Sequence, residues 1–203
     1  MYQDAYTTET GEIVKLKSTK DAASSGIKAL VYGLSGIGKT SLAATTGDLA
    51  NTVIASAENG LLSLREYDID VQVIDTIDDL YSLWDWLTTD PAGLSKKWLI
   101  VDSISEIAEV ILINQKKVTV NGKLVDPRQA YGAMQDQMIA LIRAFRDLPL
   151  NVVMIAKCEK AQDENGRILN YPSTPGNKLG QQLPYLFDEV WADGLWIMIR
   201  TFF

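Results

Sequence analysis

The segment Gly33–Thr40 reads Gly-Leu-Ser-Gly-Ile-Gly-Lys-Thr and fits the pattern G-x-x-x-x-G-K-[ST]. An apolar run, residues 27–32, precedes it, and a helix-forming stretch, residues 41–49, follows it. Glycines let the backbone curl so that successive N–H groups point inward, and such a loop between a strand and a helix binds the phosphates of a nucleotide. The segment therefore predicts a strand, a phosphate-binding loop and a helix, and it restricts the chain to folds that contain this unit.

The residue types of the loop each suit a bound nucleotide. Lys39 would place a positive charge near the β- and γ-phosphates, and the Thr40 hydroxyl would bind Mg²⁺. The helix after the loop would bring its positive N-terminal end under the anion. The residues that we expect to contact the nucleotide are Gly33, Ser35, Gly36, Ile37, Gly38, Lys39, Thr40 and Ser41.

Length and composition fit a single α/β domain with a sizeable core. The chain has 203 residues and a net charge of −7, and its apolar runs all fall short of the ~20 residues of a membrane span. Its first residues lack the basic and apolar regions of a secretory signal. With Cys158 as the only cysteine and no histidine, a disulfide within the chain and a Cys/His zinc site are excluded. We expect a cytoplasmic protein with no membrane partner.

Short apolar strands alternate with amphipathic helices from residue 27 onward, as in a mostly parallel sheet with helices on both faces. Strands are predicted at 27–32, 52–55, 71–74, 98–102, 151–156 and 188–192. Capping patterns and periodicity predict helices that begin at Thr76, at Ser103 and at Arg128. Turn residues predict protruding hairpins at 118–125 and 163–167. We expect an α/β fold, with residues 1–26 as an N-terminal extension and 27–203 as the domain.

Asp102 ends the apolar strand 98–102 and is the second half of the predicted site. A carboxylate at the carboxyl end of a strand adjacent to the phosphate loop can hold Mg²⁺, usually through water. The metal-binding residues would then be Thr40 and Asp102. The alternative is that Asp102 caps the next helix, a role that Ser103 fits better.

Hydrolysis needs a group that orients or deprotonates water beside the γ-phosphate. Glu58 follows the predicted strand 52–55, so a parallel sheet would bring its side chain to the same edge as Asp102. The alternative is that Glu58 is a surface residue in a turn. Glu106 is a second candidate for the catalytic carboxylate. Its spacing from Ser103 fits a capping box at the start of the next helix, however, and this explains the residue without a catalytic role. Lys157 follows a core strand, where it could sense the γ-phosphate, pair with Asp102 or point to solvent.

The nucleotide is predicted to be ATP because two guanine-nucleotide patterns are absent. The segment 102–105 reads Asp-Ser-Ile-Ser and has no glycine where D-x-x-G requires one. The segment 177–180 reads Asn-Lys-Leu-Gly and lacks the aspartate of N-K-x-D.

Three segments follow the order seen in RecA-like recombinase cores: 53–58, 99–103 and 175–179. More closely, the chain resembles phage-encoded, core-only RecA-like ATPases that act in single-strand annealing and are often described only as AAA-family ATPases. The segments that carry this closer resemblance are 131–132, 146–153, 175–176 and 183–190. The resemblance spans about 27–192 and implies a RecA-like P-loop NTPase core that uses ATP and Mg²⁺, in a homo-oligomer and in a host cytoplasm. It also implies that Glu58 is the catalytic carboxylate, beside Lys39 and Asp102.

The resemblance further implies that two loops at the sheet edge, 115–130 and 159–178, face single-stranded DNA. They lie in a segment, 115–178, that carries ten Lys/Arg against six Asp/Glu in an otherwise acidic chain; ordinary scatter of solvated charge is the alternative. Basic side chains neutralise phosphates, and tyrosines such as Tyr131 and Tyr171 stack on unpaired bases. The residues expected at DNA are Lys116, Lys117, Lys123, Arg128, Lys160, Arg167 and Lys178. Lys178 could instead reach the γ-phosphate of a neighbouring subunit, and a single-strand binding protein is a further expected partner.

Two other functions use the same phosphate loop. One is a nucleotide-dependent interaction or regulatory switch protein without DNA activity, and the other is a small-molecule kinase. The kinase is disfavoured because no Arg-rich lid is evident in the sequence. We expect the C-terminal end to be short or truncated, and the apolar segment 194–203 could be a final edge strand, an oligomer contact or the product of a truncated reading frame.

Overall fold

The computed structural model describes residues 6–7, 13–14, 18, 26–58, 60–120, 123–162 and 165–192. The strands are β1 (Tyr6–Thr7), β2 (Ile13–Val14), β3 (Lys28–Gly33), β4 (Thr52–Ser56), β5 (Asp70–Val73), β6 (Trp98–Asp102), β7 (Thr119–Val120), β8 (Lys123–Leu124), β9 (Asn151–Gln162), β10 (Ile168–Pro172) and β11 (Glu189–Ala192). The α-helices are α1 (Ile77–Thr89), α2 (Pro91–Leu94), α3 (Ile104–Lys116), α4 (Pro127–Arg146) and α5 (Asn177–Gln182). Short 3₁₀ helices span Thr40–Thr45, Leu49–Asn51, Leu61–Leu64 and Leu183–Leu186.

A mostly parallel sheet organises the described residues, as the sequence predicted. Its six parallel strands lie in the order β11-β3-β9-β6-β4-β5, and β10 pairs antiparallel with residues 158–162 of β9. The main strands agree with the predicted ones to within about two residues at their starts, but β9 runs six residues beyond its predicted end at Ala156. The second half of this long strand forms the predicted protruding hairpin with β10.

Alternation along the strands divides the buried side chains between the two faces of the sheet. In β3, for example, Leu30 and Tyr32 join one core cluster and Ala29 and Val31 join the other. The larger cluster lies under α1, α3 and α4, whereas the smaller one lies under the 3₁₀ helices Thr40–Thr45 and Leu61–Leu64. The continuous apolar strands of the sequence are thus explained, because both faces are covered.

The segment after the phosphate loop differs from its prediction. Residues Thr40–Thr45 form a 3₁₀ helix where the sequence predicted an α-helix over 41–49. The hydroxyls of Thr45 and Thr46 donate to backbone carbonyls three residues earlier, at 2.8 and 3.5 Å. Such side-chain bonds to the backbone compete with regular α-helix, and they favour the tighter turn. The argument from a long helix dipole under the phosphates is therefore not supported.

The predicted hairpin at 118–125 is present as the pair β7 and β8, and its Asn121-Gly122 turn lies outside the described residues. In the segment before residue 27, β1 and β2 form a short antiparallel pair. The predictions about the apolar segment 194–203 also fall outside the described residues.

Two glycines in helices test how tightly the chain packs near the hairpin. A methyl group on Gly180 in α5 would lie 2.2 Å from the Pro172 carbonyl oxygen, whereas one on Gly132 in α4 would meet nothing within 4 Å. We expect Gly180→Ala to lower the free energy of unfolding by about 1–3 kcal/mol through overpacking. Gly132→Ala is the matched control and should raise it by up to about 1 kcal/mol. Urea denaturation followed by circular dichroism measures both, and equal stability of the two variants would contradict the packing seen at Gly180.

Candidate active site

The carboxyl ends of neighbouring strands bring the predicted residues to one edge of the sheet. Gly33 at the end of β3 is in register with Lys157 of β9, and Asp102 at the end of β6 is in register with Ser56 of β4. The strand β6 is not the immediate neighbour of β3, because β9 lies between them. The strand that intervenes comes from much later in the chain, so local sequence gives no sign of it.

The phosphate loop has the backbone geometry that its glycines predict. Gly36 and Gly38 have φ values of +78° and +89°, in the left-handed region that glycine adopts without strain. The Lys39 ammonium donates to the carbonyls of Gly33 and Leu34 at 2.9 and 2.8 Å, so it lies inside the curl of the loop. These features fit an anion held by the loop backbone.

The other predicted loop residues divide into exposed and packed ones. Ser35 is exposed at the outer surface of the loop, and Ile37 is half-buried against the smaller core cluster. The Ser41 N–H donates to the Gly38 carbonyl at 3.1 Å and so begins the 3₁₀ turn. Ile37 thus anchors the loop to the sheet, and its side chain does not form part of the open surface.

Thr40 and Asp102, the two predicted metal-binding residues, are in direct contact. The Thr40 hydroxyl donates to Asp102 Oδ2 at 2.6 Å across 62 residues of sequence. Asp102 is only 4% exposed, and this burial raises the pKa of its carboxyl, while the Thr40 hydrogen bond acts in the opposite direction and the nearby Glu58 charge adds to the rise. A hydroxyl and a buried carboxylate at this distance are a suitable pair of oxygen donors for Mg²⁺.

Glu58 lies at the same edge, half-buried. Its Oε1 accepts a hydrogen bond from the Ser103 hydroxyl at 2.7 Å, and its backbone N–H donates to the Asp102 carbonyl at 3.3 Å. The Ser56 hydroxyl in turn donates to the Glu58 carbonyl at 2.7 Å. Glu58 is therefore held at both its backbone and its carboxylate.

Lys157 pairs with carboxylates other than the one considered from sequence. Its ammonium contacts Glu106 Oε1 directly and lies 3.7 Å from Glu58 Oε1. The hydrogen bond with Glu106 is the main cause that raises the pKa of Lys157. Among the described contacts of Lys157, both ion pairs are with these glutamates and neither is with Asp102.

Glu106 does not complete the predicted capping box. The Ser103 hydroxyl accepts a long hydrogen bond of 3.4 Å from the Glu106 N–H, which is half of the motif. The Glu106 carboxylate instead turns to Lys157. The capping interpretation concealed this contact, since it gave the residue a complete local explanation.

Sequence reasoning missed Ser105, which ties the base of the β9–β10 hairpin to the start of α3. The buried Ser105 hydroxyl accepts from the Lys157 N–H at 2.9 Å and donates to the Ser173 carbonyl at 2.6 Å. The Ser173 N–H donates back to the Lys157 carbonyl at 2.7 Å. No local pattern could have marked Ser105, because its partners lie 52 and 68 residues away.

The residues predicted to meet DNA fall into two groups. Lys160 and Arg167 are exposed on the β9–β10 hairpin, which extends from the active-site edge. In the second group, the Lys116 ammonium lies 5.3 Å from the centre of the Tyr131 ring, and that ring packs near Gly176, two residues before the exposed Lys178. Lys117 and Arg128 are also exposed near the ends of α3 and α4, and the side chain of Lys123 is outside the described set.

Comparison with known proteins identifies the family. A family model described as an AAA domain matches residues 25–192. The chain belongs to the AAA domain family. The family is of the P-loop ATPase type, and such ATPases generally use ATP and Mg²⁺. The seven-stranded sheet of the described residues agrees with an α/β P-loop NTPase core.

The other two comparisons add less for this AAA domain. A solved chain in the "Structure of E. coli MS115-1 HORMA:CdnC:Trip13 complex" matches at 17% identity and a TM-score of 0.35. The match covers 85% of this chain and 50% of the solved one, so the chain spans half the length of that relative. No curated protein matches.

No helix in the described part of the chain is both long and apolar enough to cross a membrane.

Proposed function

We propose that this AAA domain is a RecA-like ATPase, encoded by a phage or prophage, that binds single-stranded DNA and promotes annealing or recombination. The observation that carries the ATPase part is the Thr40–Asp102 hydrogen bond of 2.6 Å at the edge where Glu58 is also held. An oxygen pair for a metal and a fixed carboxylate beside a phosphate loop are what hydrolysis of the terminal phosphoanhydride of ATP needs.

Each residue of the phosphate loop would contact a particular part of the nucleotide. The backbone N–H groups of 36–40 cradle the phosphates, and Lys39 leaves its two carbonyl partners to place its charge on the terminal phosphates. Thr40 and Asp102 would hold Mg²⁺ through their side-chain oxygens. When bound, Mg²⁺-ATP supplies the phosphoanhydride bond that is broken.

Glu58 acts on the attacking water. Its carboxylate accepts the water proton, and the Ser103 hydroxyl at 2.7 Å fixes its orientation without adding charge. Among the described residues, Asp102 and Lys157 carry opposite charges near Glu58. Lys39 stabilises the charge that builds on the leaving phosphate.

The DNA part of the proposal is supported by position and charge. Lys160 and Arg167 project on a hairpin whose base, at Lys157, belongs to the active-site edge. Lys116 beside the Tyr131 ring combines a cation with a partly exposed aromatic surface, the pair of features used to bind unpaired nucleic acid. We further propose that the protein assembles with copies of itself, that Lys178 serves DNA or a neighbour's γ-phosphate, and that a single-strand binding protein is a partner.

ATP hydrolysis that is stimulated by single-stranded DNA is the test of this proposal. We expect turnover at low salt to rise when single-stranded DNA is added, and Lys39→Ala to abolish turnover with and without DNA. Lys160→Ala combined with Arg167→Ala should weaken binding to single-stranded DNA and reduce the slope of log K against log salt concentration by about 1.4, since each lost phosphate contact on a single strand contributes about 0.7. The matched control is Arg143→Ala, an exposed arginine in the last turn of α4.

The alternatives give different results in the same assay. If the rate of hydrolysis is the same with and without single-stranded DNA, and no salt-sensitive DNA binding is detected, the result would support a nucleotide-dependent switch protein. Phosphate transfer to a metabolite would support a kinase. A loss of DNA binding in Arg143→Ala equal to that in the hairpin variant would remove the hairpin from the proposed DNA surface.

A further inference from the structure

Three charged side chains stand in a row at the active-site edge, in the order Glu106, Lys157, Glu58. The Lys157 ammonium touches Glu106 Oε1 and remains 3.7 Å from Glu58 Oε1. All three side chains are partly exposed, with Lys157 half exposed and each glutamate about one-third exposed. The ammonium is therefore shared unequally, and its close contact is with the glutamate that has no part in the proposed chemistry.

We propose that Glu106 is a positioning residue that holds the Lys157 ammonium off Glu58 and so keeps the Glu58 carboxylate in the orientation that the Ser103 hydroxyl gives it, open to the attacking water. This inference rests on the proposed role of Glu58 in ATP hydrolysis. A carboxylate in close contact with an ammonium turns toward its partner and is then poorly placed to meet a water molecule on another side. Glu106 prevents that contact by competing for the same cation.

The backbone around Lys157 limits what its side chain can do. Its N–H and carbonyl are bonded to Ser105 and Ser173, so the start of the side chain is fixed and only its outer part can move. Of the two carboxylates paired with it, Glu106 is on α3 and Glu58 follows β4. If the charge of Glu106 is removed, Glu58 is the remaining ion-pair partner within 4 Å among the described residues.

Glu58 does not need Lys157 to be held in place. The Ser103 hydroxyl already donates to the same oxygen, Oε1, at 2.7 Å. This donor is neutral and buried, so it orients the carboxylate and leaves its negative charge intact. A second, charged donor at close range would compete with the Ser103 hydroxyl for Oε1 and would pull the carboxylate away from the orientation that this hydroxyl sets.

The inference predicts an unusual pattern of turnover in paired variants. Glu106→Gln keeps the size and the helix position of the side chain, and we expect it to lower kcat about fivefold, near the limit for a partly exposed ion pair, with KM for ATP unchanged. Adding Lys157→Met to Glu106→Gln should restore kcat to within about twofold of the native value, because the released cation is then absent. The matched control is Glu109→Gln, an exposed glutamate one turn along α3 that should leave kcat unchanged.

A second readout does not depend on hydrolysis. The nitrogen resonance of the Lys157 ammonium, assigned by its loss in Lys157→Met, can be followed in the protein without nucleotide. We expect Glu106→Gln to move it more than Glu58→Gln does in the native background. In the Glu106→Gln background, Glu58→Gln should move it further than before, since the ammonium has then closed on Glu58.

The outcomes separate this inference from the proposed function. If the native chain hydrolyses ATP and Glu58→Gln stops it, but Glu106→Gln matches Glu109→Gln, the role of Glu106 is wrong and the ATPase stands. A double variant no faster than Glu106→Gln, or an ammonium resonance that responds more to Glu58 than to Glu106, would also overturn the role. If the native chain does not hydrolyse ATP, both proposals fail.

Discussion

Replacing Glu58 with glutamine is expected to lower ATP turnover by a factor of about 10³, within the range for loss of a general base. The amide cannot accept the proton of the attacking water, although it can still accept the hydrogen bond that the Ser103 hydroxyl now donates at 2.7 Å. The phosphate loop and the Thr40–Asp102 pair are untouched, so binding of ATP should remain within about twofold of the native value. Single-turnover hydrolysis and equilibrium binding of a fluorescent ATP analogue measure the two quantities.

Glu66→Gln is the matched control for this prediction, because Glu66 is an exposed glutamate in the same part of the chain and its ion pair with Arg65 is exposed on both sides. We expect it to leave turnover unchanged. If Glu58→Gln retained native turnover, the base would have to be another group, and Glu106 would be the next candidate. If ATP binding were lost as well, Glu58 would be needed to form the site, which its contacts do not predict.

Replacing Asp102 with asparagine should have two opposite effects. Turnover with Mg²⁺ is expected to fall by about 10²-fold, because the neutral amide is a poor partner for the metal. The protein without nucleotide and Mg²⁺ should become more stable at neutral pH, since burial raises the pKa of the Asp102 carboxyl and the ionised form is unfavourable in the folded state. The site would thus gain stability as it loses activity.

The pH dependence of that stability has a definite sign. A carboxyl whose pKa is raised by folding binds its proton more tightly in the native state, so its unfavourable contribution is absent below its unfolded pKa and grows as pH rises through the folded pKa. The melting temperature of Asp102→Asn should therefore exceed that of the native chain by a few degrees at neutral pH, and the difference should shrink as the pH approaches the usual aspartate pKa. Calorimetry without nucleotide measures this, with the exposed Asp85→Asn in α1 as the control. A lower melting temperature for Asp102→Asn at neutral pH would mean that the Thr40 hydrogen bond outweighs the burial.

Features that depend on nearby residues were predicted well from the sequence. The strand that ends in Asp102, the helix capped by Ser103 and the loop of residues 33–40 all rest on contacts within a few residues, and the structure contains each of them. Capping at Thr76 is complete, with Asp79 accepting from the Thr76 backbone. Local hydrogen bonds and strand alternation decide these elements, so a sequence pattern is sufficient.

The order of the strands and the ion pairs of Lys157 could not be predicted from local sequence patterns. Placing β9 between β3 and β6 depends on pairing between segments far apart in the chain, 28–33 and 98–102 with 151–157, for which the sequence holds no local signal. The Lys157–Glu106 contact depends on that placement, because the two residues meet only when β9 lies beside the start of α3. The roles of the site residues and of the DNA surface stay predictions.

The sheet order also determines when the nucleotide site can be completed during synthesis. Both neighbours of β3 in the sheet, β9 and β11, come from the last third of the chain, so β3 has no partner strand until residues 151–192 have left the ribosome. Pairings between such distant segments form slowly, and an unpaired apolar strand associates readily with other chains. A nascent chain that stopped before Asn151 would carry the whole phosphate loop on an unsupported strand, so translation must pass that point before the loop can acquire its folded geometry.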